Sequence, residues 1–209
     1  MADLLTFTGV TRRMGTRLVL DVPRLSLGPG LVHLAGPVGA GKTTLLRCAA
    51  TLLRPTTGQI HIAGADTRDG AAARALLGYS GEEPALAPEL TVGETLRLHA
   101  RVHGLRRSAP AEALAALGAS HLERRFARAC SRGERALADL ARASMHEPRV
   151  WLLDEPLAHL DEAARARVMT RLDAACAGGA LVLVTSHRPL ERPAQRTLAL
   201  RDGRVEDRP

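Results

Sequence analysis

Nine consecutive residues, Gly36-Pro37-Val38-Gly39-Ala40-Gly41-Lys42-Thr43-Thr44, carry the spacing G-x-x-x-x-G-K-[ST]. In such a loop successive backbone N–H groups surround phosphate oxygens, an ammonium reaches the β- and γ-phosphates, and a hydroxyl can ligate Mg²⁺. Lys42 and Thr43 are the ammonium and the hydroxyl. Composition singles out the same place, because Lys42 is the one lysine among 29 Lys and Arg residues. A compact ammonium on a flexible stem suits a narrow backbone nest, whereas a planar guanidinium does not. The second candidate is Val150-Trp151-Leu152-Leu153-Asp154-Glu155-Pro156, an apolar run that ends in two carboxylates. In a chain with a phosphate loop, Asp154 would hold Mg²⁺ and Glu155 would polarise an attacking water. Trp151 is simplest as core packing.

These residues need strands to deliver them. Leu31–Ala35 reads as a buried strand leading into Gly36, and Thr43–Leu53 as a helix ended by Pro55. The order strand, glycine-rich loop, helix is the context a phosphate site requires. Before it, Leu18–Leu20 and Leu25–Leu27 read as short strands, with a turn at Gly28-Pro29-Gly30. Gly58–Gly64 reads as a short edge strand. The middle is helical: Thr91–Gly104, with Thr91 and Glu94 as a capping box, then a short helix after Pro110, then about Arg132 to His146. Leu181–Val184 is a second buried strand after a helix at Asp161–Ala177. An Asp-Gly hairpin turn at Arg201–Arg204 closes the pattern. The expectation is one α/β domain over residues 1–209, with a helical subdomain inserted at about 85–147.

Composition bounds the function. The chain is 45% apolar, 24% charged and only 2% aromatic, so Leu, Val and Ala must build its core. The formal charge of +7 would suit nucleic acid or an anionic surface, but the basic residues form no compact run, and no nucleic-acid partner is expected. Cys48, Cys130 and Cys176 are odd in number and lack a C-x-x-C pair, so they read as reduced thiols. Met1-Ala2-Asp3 leads straight into strand-like Leu4–Phe7, with no signal peptide, and no apolar run approaches the ~20 residues of a membrane helix. The expected place is therefore the cytoplasm, unless a partner holds the protein at a membrane.

Further motifs make the pattern specific. Cys130-Ser131-Arg132-Gly133-Glu134-Arg135 resembles the signature sequence of the ATP-binding cassette (ABC) family, and the helix it opens carries Leu140-Ala141-Arg142-Ala143. Ala158-His159-Leu160-Asp161 is similar to the family's D-loop, and Thr185-Ser186-His187 to its switch histidine. The resemblance covers nearly the whole chain. It implies a P-loop NTPase fold of the ABC type: a RecA-like core, an N-terminal antiparallel β subdomain and a helical signature subdomain. It implies that ATP at Gly36–Thr44 of one cassette is capped by Ser131, Arg132, Gly133 and Glu134 of a second copy or a related cassette, facing head to tail. His187 would orient the γ-phosphate, Glu155 would activate water, and Asp161 would link the two sites.

The chain departs from the family pattern in places. Where the family has a glutamine and Mg²⁺ ligand, alignment puts Glu82, with Glu83 one residue on as the alternative. Met14 stands where an adenine-stacking aromatic is expected. Arg132 replaces the first signature glycine and Glu134 the glutamine. The compact end, and "LRPTTGQIHIAG" with "LTVGETL", resemble stand-alone ATP-binding subunits of bacterial exporters that dock on an integral membrane subunit. Alternatives are the haem-exporter ATPase of cytochrome c maturation, and a non-transport cassette acting on nucleic acid or ribosomes. His99 and His103, at i and i+4 on a helix, could hold a metal, but a solvated or half-buried pair is the plainer reading. His146 belongs to no constellation visible in the sequence.

Overall fold

The structure is a computed structural model, and it describes residues 3–187, 190 and 192–208. The Met1-Ala2 start lies outside the described residues.

Two sheets carry the fold. The first is antiparallel, in the order β2-β1-β4-β5, from β1 (Leu5–Met14), β2 (Arg17–Leu27), β4 (Thr57–Ile62) and β5 (Ala65–Asp66). The expected short strands Leu18–Leu20 and Leu25–Leu27 are one continuous strand. Pro23 cannot donate to a ladder, but β2 lies at the sheet's edge, where the missing donor costs no pairing. The expected edge strand around Gly58 is instead internal, paired with β1 on one side and briefly with β5 on the other. Its buried Ile60 and Ile62 explain that position.

The second sheet has the order β10-β9-β3-β8-β7-β6. β3 (Gly30–Ala35), β6 (Leu77–Ser80), β7 (Val150–Asp154), β8 (Leu181–Thr185) and β9 (Arg196–Arg201) are parallel, and β10 (Arg204–Arg208) returns antiparallel through the turn at Asp202-Gly203. Both faces of the parallel strands are covered, so β7 and β8 are buried at every residue. One core lies between the two sheets and α1 (Lys42–Ala49). The other gathers Trp151 and Val182 from the opposite face with α3 (Val92–Val102), α4 (Ala109–Ala116), α5 (Arg132–Ser144) and α6 (Glu162–Ala177). A short helix, α2 (Gly70–Ala75), precedes β6.

Local chemistry sets the helix ends. Thr91 and Ser131 each close a reciprocal capping box with the glutamate three residues on, Glu94 and Glu134. α1 stops earlier than expected, because Thr51 takes a left-handed conformation at φ 62° that ends the helix ahead of Pro55.

Candidate functional site

Register brings the chemistry together. β8 lies between β3 and β7, so Thr185 pairs with Leu34 on one side and with Asp154 on the other. The Gly36–Thr44 loop leaves β3 just after Leu34 and Ala35. Loop, Thr185 and Asp154 therefore emerge side by side at the carboxyl ends of three parallel strands, where α/β sheets bind ligands.

The loop turns through Gly39 (φ 78°) and Gly41 (φ 107°) into the N-terminus of α1. A Cβ on Gly41 would stand 3.0 Å from the Val19 carbonyl, so β2 presses against the loop there. α1 has no acidic residue in its first turn and no side-chain cap, which leaves its positive end open to an anion. Lys42 is buried, and its Nζ donates to the carbonyls of Gly36 (2.7 Å) and Pro37 (3.1 Å). The ammonium thus lies folded over the loop. Thr43 and Thr44 are half-buried, while Pro37, Val38 and Gly39 are exposed.

Asp154 ends β7 at 3% exposure. Its Oδ1 accepts from the Thr185 hydroxyl at 2.6 Å, and its Oδ2 is buried without a hydrogen-bond partner among the described residues. A buried carboxylate oxygen left unpaired is costly, and a cation would relieve that cost. Glu155 follows in a left-handed conformation at φ 53°, a strained state for a non-glycine residue. Its backbone N–H donates to the same Thr185 Oγ1 at 3.0 Å. The hydroxyl of Thr185 therefore orders both carboxylate residues at once. Its sequence signal is weak: a hydroxyl at the end of a buried strand, opposite Asp154 only once register is known.

His187 Nε2 stands 3.5 Å from Glu155 Oε1, close enough for charge attraction but long for a hydrogen bond. Burial raises the Glu155 carboxyl above its ordinary range, against the opposing pull of His187 and Lys42. A carboxylate held this way is a stronger base.

The other expected residues are more scattered. Met14 is exposed at the tip of the β1–β2 hairpin, just beyond the stretch of β2 that presses on Gly41. Glu82 and Glu83 are exposed on the loop after β6, and among the described residues no hydrogen bond or ion pair ties Glu82 to Asp154 or Thr43. That loop is anchored by a group with no motif to betray it. The fully buried Asp139 of α5 accepts from the Ser80 hydroxyl (2.6 Å), the Ala85 N–H (3.0 Å) and Arg142 Nε (2.8 Å).

Ser131 and Arg132 are exposed at the N-terminus of α5, on the molecular surface. Ser131 Oγ accepts from the Glu134 N–H, which leaves its own proton free to donate. Glu134 is held by Arg125 and by the Ser131 N–H. Gly133 lies against the D-loop, where a Cβ would meet the His159 carbonyl at 2.5 Å. Asp161 caps α6, accepting from the Ala164 N–H at 2.7 Å.

The sequence profile of the ABC transporter family matches residues 22–158, from within β2 to the start of the D-loop. The chain belongs to the ABC transporter family. This cassette is an ATP-binding subunit and an ATPase of that family. It is 37% identical to the daunorubicin resistance ATP-binding protein DrrA3 of Streptomyces coeruleorubidus, over 98% of this chain and 68% of that protein. It is 38% identical to the cytochrome c biogenesis ATP-binding export protein CcmA of Cupriavidus necator, over 95% and 89%. The cassette also superposes on the solved ATP-binding subunit of an ABC transporter with a TM-score of 0.87 at 28% identity, covering 97% and 88%. A bacterial ABC transporter cassette solved as a dimer matches with a TM-score of 0.87 at 25% identity, covering 97% of each chain. The same protein is also known in a post-hydrolysis state bound to ADP and Pi.

Proposed function

We propose that this cassette binds ATP with Mg²⁺ at Gly36–Thr44, hydrolyses it with Glu155 as base, and powers export through a separate integral membrane subunit at the inner face of the membrane. The observation that carries the catalytic reading is the single hydroxyl of Thr185, which orders Asp154 and Glu155 on the strand next to the phosphate loop. Lys42 exchanges its two loop carbonyls for the β- and γ-phosphates. Thr43, Asp154 Oδ2 and Glu82 would hold Mg²⁺. Bound Mg²⁺ neutralises charge on the phosphate oxygens. Glu155 takes the proton of the attacking water, and His187 steadies the γ-phosphate beside it. Met14 packs on the adenine from the hairpin tip.

The exposed Ser131 and Arg132 suit a second cassette, whose nucleotide would meet the N-terminus of α5. Gly133 joins that surface to the D-loop and so to Asp161. Among the described residues no helix is long and apolar enough to cross a membrane, in keeping with a membrane-spanning partner. Export is supported by the relatives, a resistance protein and an export protein by name. A haem-exporter ATPase is the second reading, supported by the likeness to the cytochrome c biogenesis export protein, 38% identical over 95% of this chain.

The test is Glu155→Gln. It should retain ATP binding, lose hydrolysis and shift to a dimer in ATP on size-exclusion chromatography; hydrolysis at the normal rate would remove Glu155 as base. Affinity purification from membranes should recover an integral membrane protein. Recovery of ribosomes or nucleic acid would overturn the transport reading.

A further inference from the structure

Three histidines meet beside the start of β6, at the amino-terminal end of the parallel strands. His99 lies on α3, His103 at its C-cap, and His146 just beyond α5 on the way into β7. One ring nitrogen from each lies within 4.8 Å of the others. The rings of His103 and His146 stack at 4.2 Å between centroids, and those of His99 and His103 stand 4.4 Å apart. All three are half-buried.

The tautomer of His146 follows from its partner. Its Nε2 is 3.0 Å from the Leu77 carbonyl, which can only accept, so Nε2 carries the proton and Nδ1 keeps a lone pair. That Nδ1 is buried without a hydrogen-bond partner among the described residues, and so is His99 Nε2. A histidine whose outer N–H binds a backbone carbonyl while its inner nitrogen is unpaired is arranged as a metal ligand is. Buried nitrogens without partners call for a water or an ion. Desolvation also holds His99 down to about 3 and His146 to about 4, so both rings stay neutral at neutral pH, the form that ligates.

We propose that His99, His103 and His146 form a binding site for a divalent transition-metal ion of the imidazole-preferring class, with Zn²⁺ its first candidate. Tetrahedral zinc with Zn–N bonds of about 2.0–2.1 Å sets its nitrogens roughly 3.3 Å apart, so side-chain rotation has to close the remaining gap. His146 also lines a hollow of about 870 Å³ with Gly104, Leu105 and Glu147, open to solvent. The nearby Arg142 opposes a cation, but its charge is shared with Asp139 at 2.8 Å. Mg²⁺ prefers oxygen ligands and does not compete here. The bound ion would staple α3 to the α5–β7 junction and, through the Leu77 carbonyl, to the start of β6.

The experiment uses tag-free protein stripped with chelator, titrated with Zn²⁺ by calorimetry and with Co²⁺ by visible absorption, in excess Mg²⁺ and without ATP. One equivalent should bind, and the Co²⁺ spectrum should lack thiolate charge-transfer bands. Loss of an outer partner of a metal ligand already costs roughly 10–100-fold in affinity, so His103→Gln and His146→Gln should cost no less, while Cys176→Ser should change nothing. His103 is the half-exposed cap residue, and circular dichroism checks that its variant is folded. As a measurement free of variants, three of the eight histidine ring signals in the wild-type NMR spectrum should move on adding Zn²⁺. Absence of stoichiometric binding, wild-type affinity in both histidine variants, or movement of a different set of ring signals would overturn the site.

Discussion

Thr185 Oγ1 lies 2.6 Å from Asp154 Oδ1 and 3.0 Å from the Glu155 backbone nitrogen, donating to the first and accepting from the second. One hydroxyl thereby engages Asp154 Oδ1, leaves Oδ2 unpaired among the described residues, and holds the backbone of Glu155 in its left-handed conformation. Thr185→Val keeps the shape and removes both bonds. It should lower the ATPase rate by about 10–100-fold and raise the Mg²⁺ concentration needed for half-maximal rate, as loss of an outer partner to a metal ligand does. A Mg²⁺ titration of steady-state hydrolysis reads both effects, and an unchanged profile would refute the role.

Lys42 is buried and engaged by two loop carbonyls, and it is the one lysine of the chain. An amine-reactive reagent should label it slowly, and saturating ATP should block the labelling. Mass spectrometry needs to follow only this site and the N-terminal amine. Lys42→Ala should abolish ATP binding. Lys42→Arg should not rescue it, because a guanidinium does not fit the nest. Undiminished nucleotide affinity in either variant would displace the site.

Asp139 is fully buried and holds Ser80, the Ala85 N–H and Arg142 together, which fixes the loop carrying Glu82 to α5. Asp139→Ala leaves Arg142, only 13% exposed, without its countercharge. The cost should be about 3–5 kcal/mol in chemical denaturation, the range for breaking a buried ion pair from one side. Adding Arg142→Leu should restore part of that loss, since the stranded charge goes with it. A cost below about 1 kcal/mol, the scale of exposed pairs, would mean the network is solvent-screened.

Gly133 packs with its Cα against the His159 carbonyl, where a Cβ would lie at 2.5 Å. Gly133→Ala must push the start of α5 off the D-loop, at a cost of about 1–3 kcal/mol for overpacking. Thermal melting should show that loss. If the contact joins the two halves of the cassette interface, ATP-driven dimerisation of a Glu155→Gln background should weaken as well. An alanine variant with wild-type melting and dimerisation would show that the surface yields freely.

Much of the site is legible in the sequence. A loop of the spacing at Gly36–Thr44 states its own chemistry, because its function lies in backbone N–H groups that neighbouring residues alone can arrange. Asp154 and Glu155 are readable because four apolar residues require a buried strand and the carboxylates must lie at its end. The capping box read at Thr91 and Glu94 is equally local, being a contact across three residues, whereas the one at Ser131 and Glu134 came from the structure. Sequence and structure part where burial depends on distant partners. Flanking glycines make the stretch around Gly58 read as an edge, yet β5 closes over it. The two short strands read at Leu18–Leu20 and Leu25–Leu27 are one strand, because an edge position tolerates Pro23 between them.

The residues proposed to bind phosphate and metal are marked locally in the chain, as loop spacing and as carboxylates at the end of an apolar run. Which of them meet is settled by the packing of the folded chain. Strand order puts Thr185 between Leu34 and Asp154, and it carries His146 across to His99 and His103. It also sets Gly133 on the His159 carbonyl. Each of these depends on the register and packing of segments far apart in the chain. Those follow from the burial of whole strand and helix faces and cannot be read from any short stretch of residues.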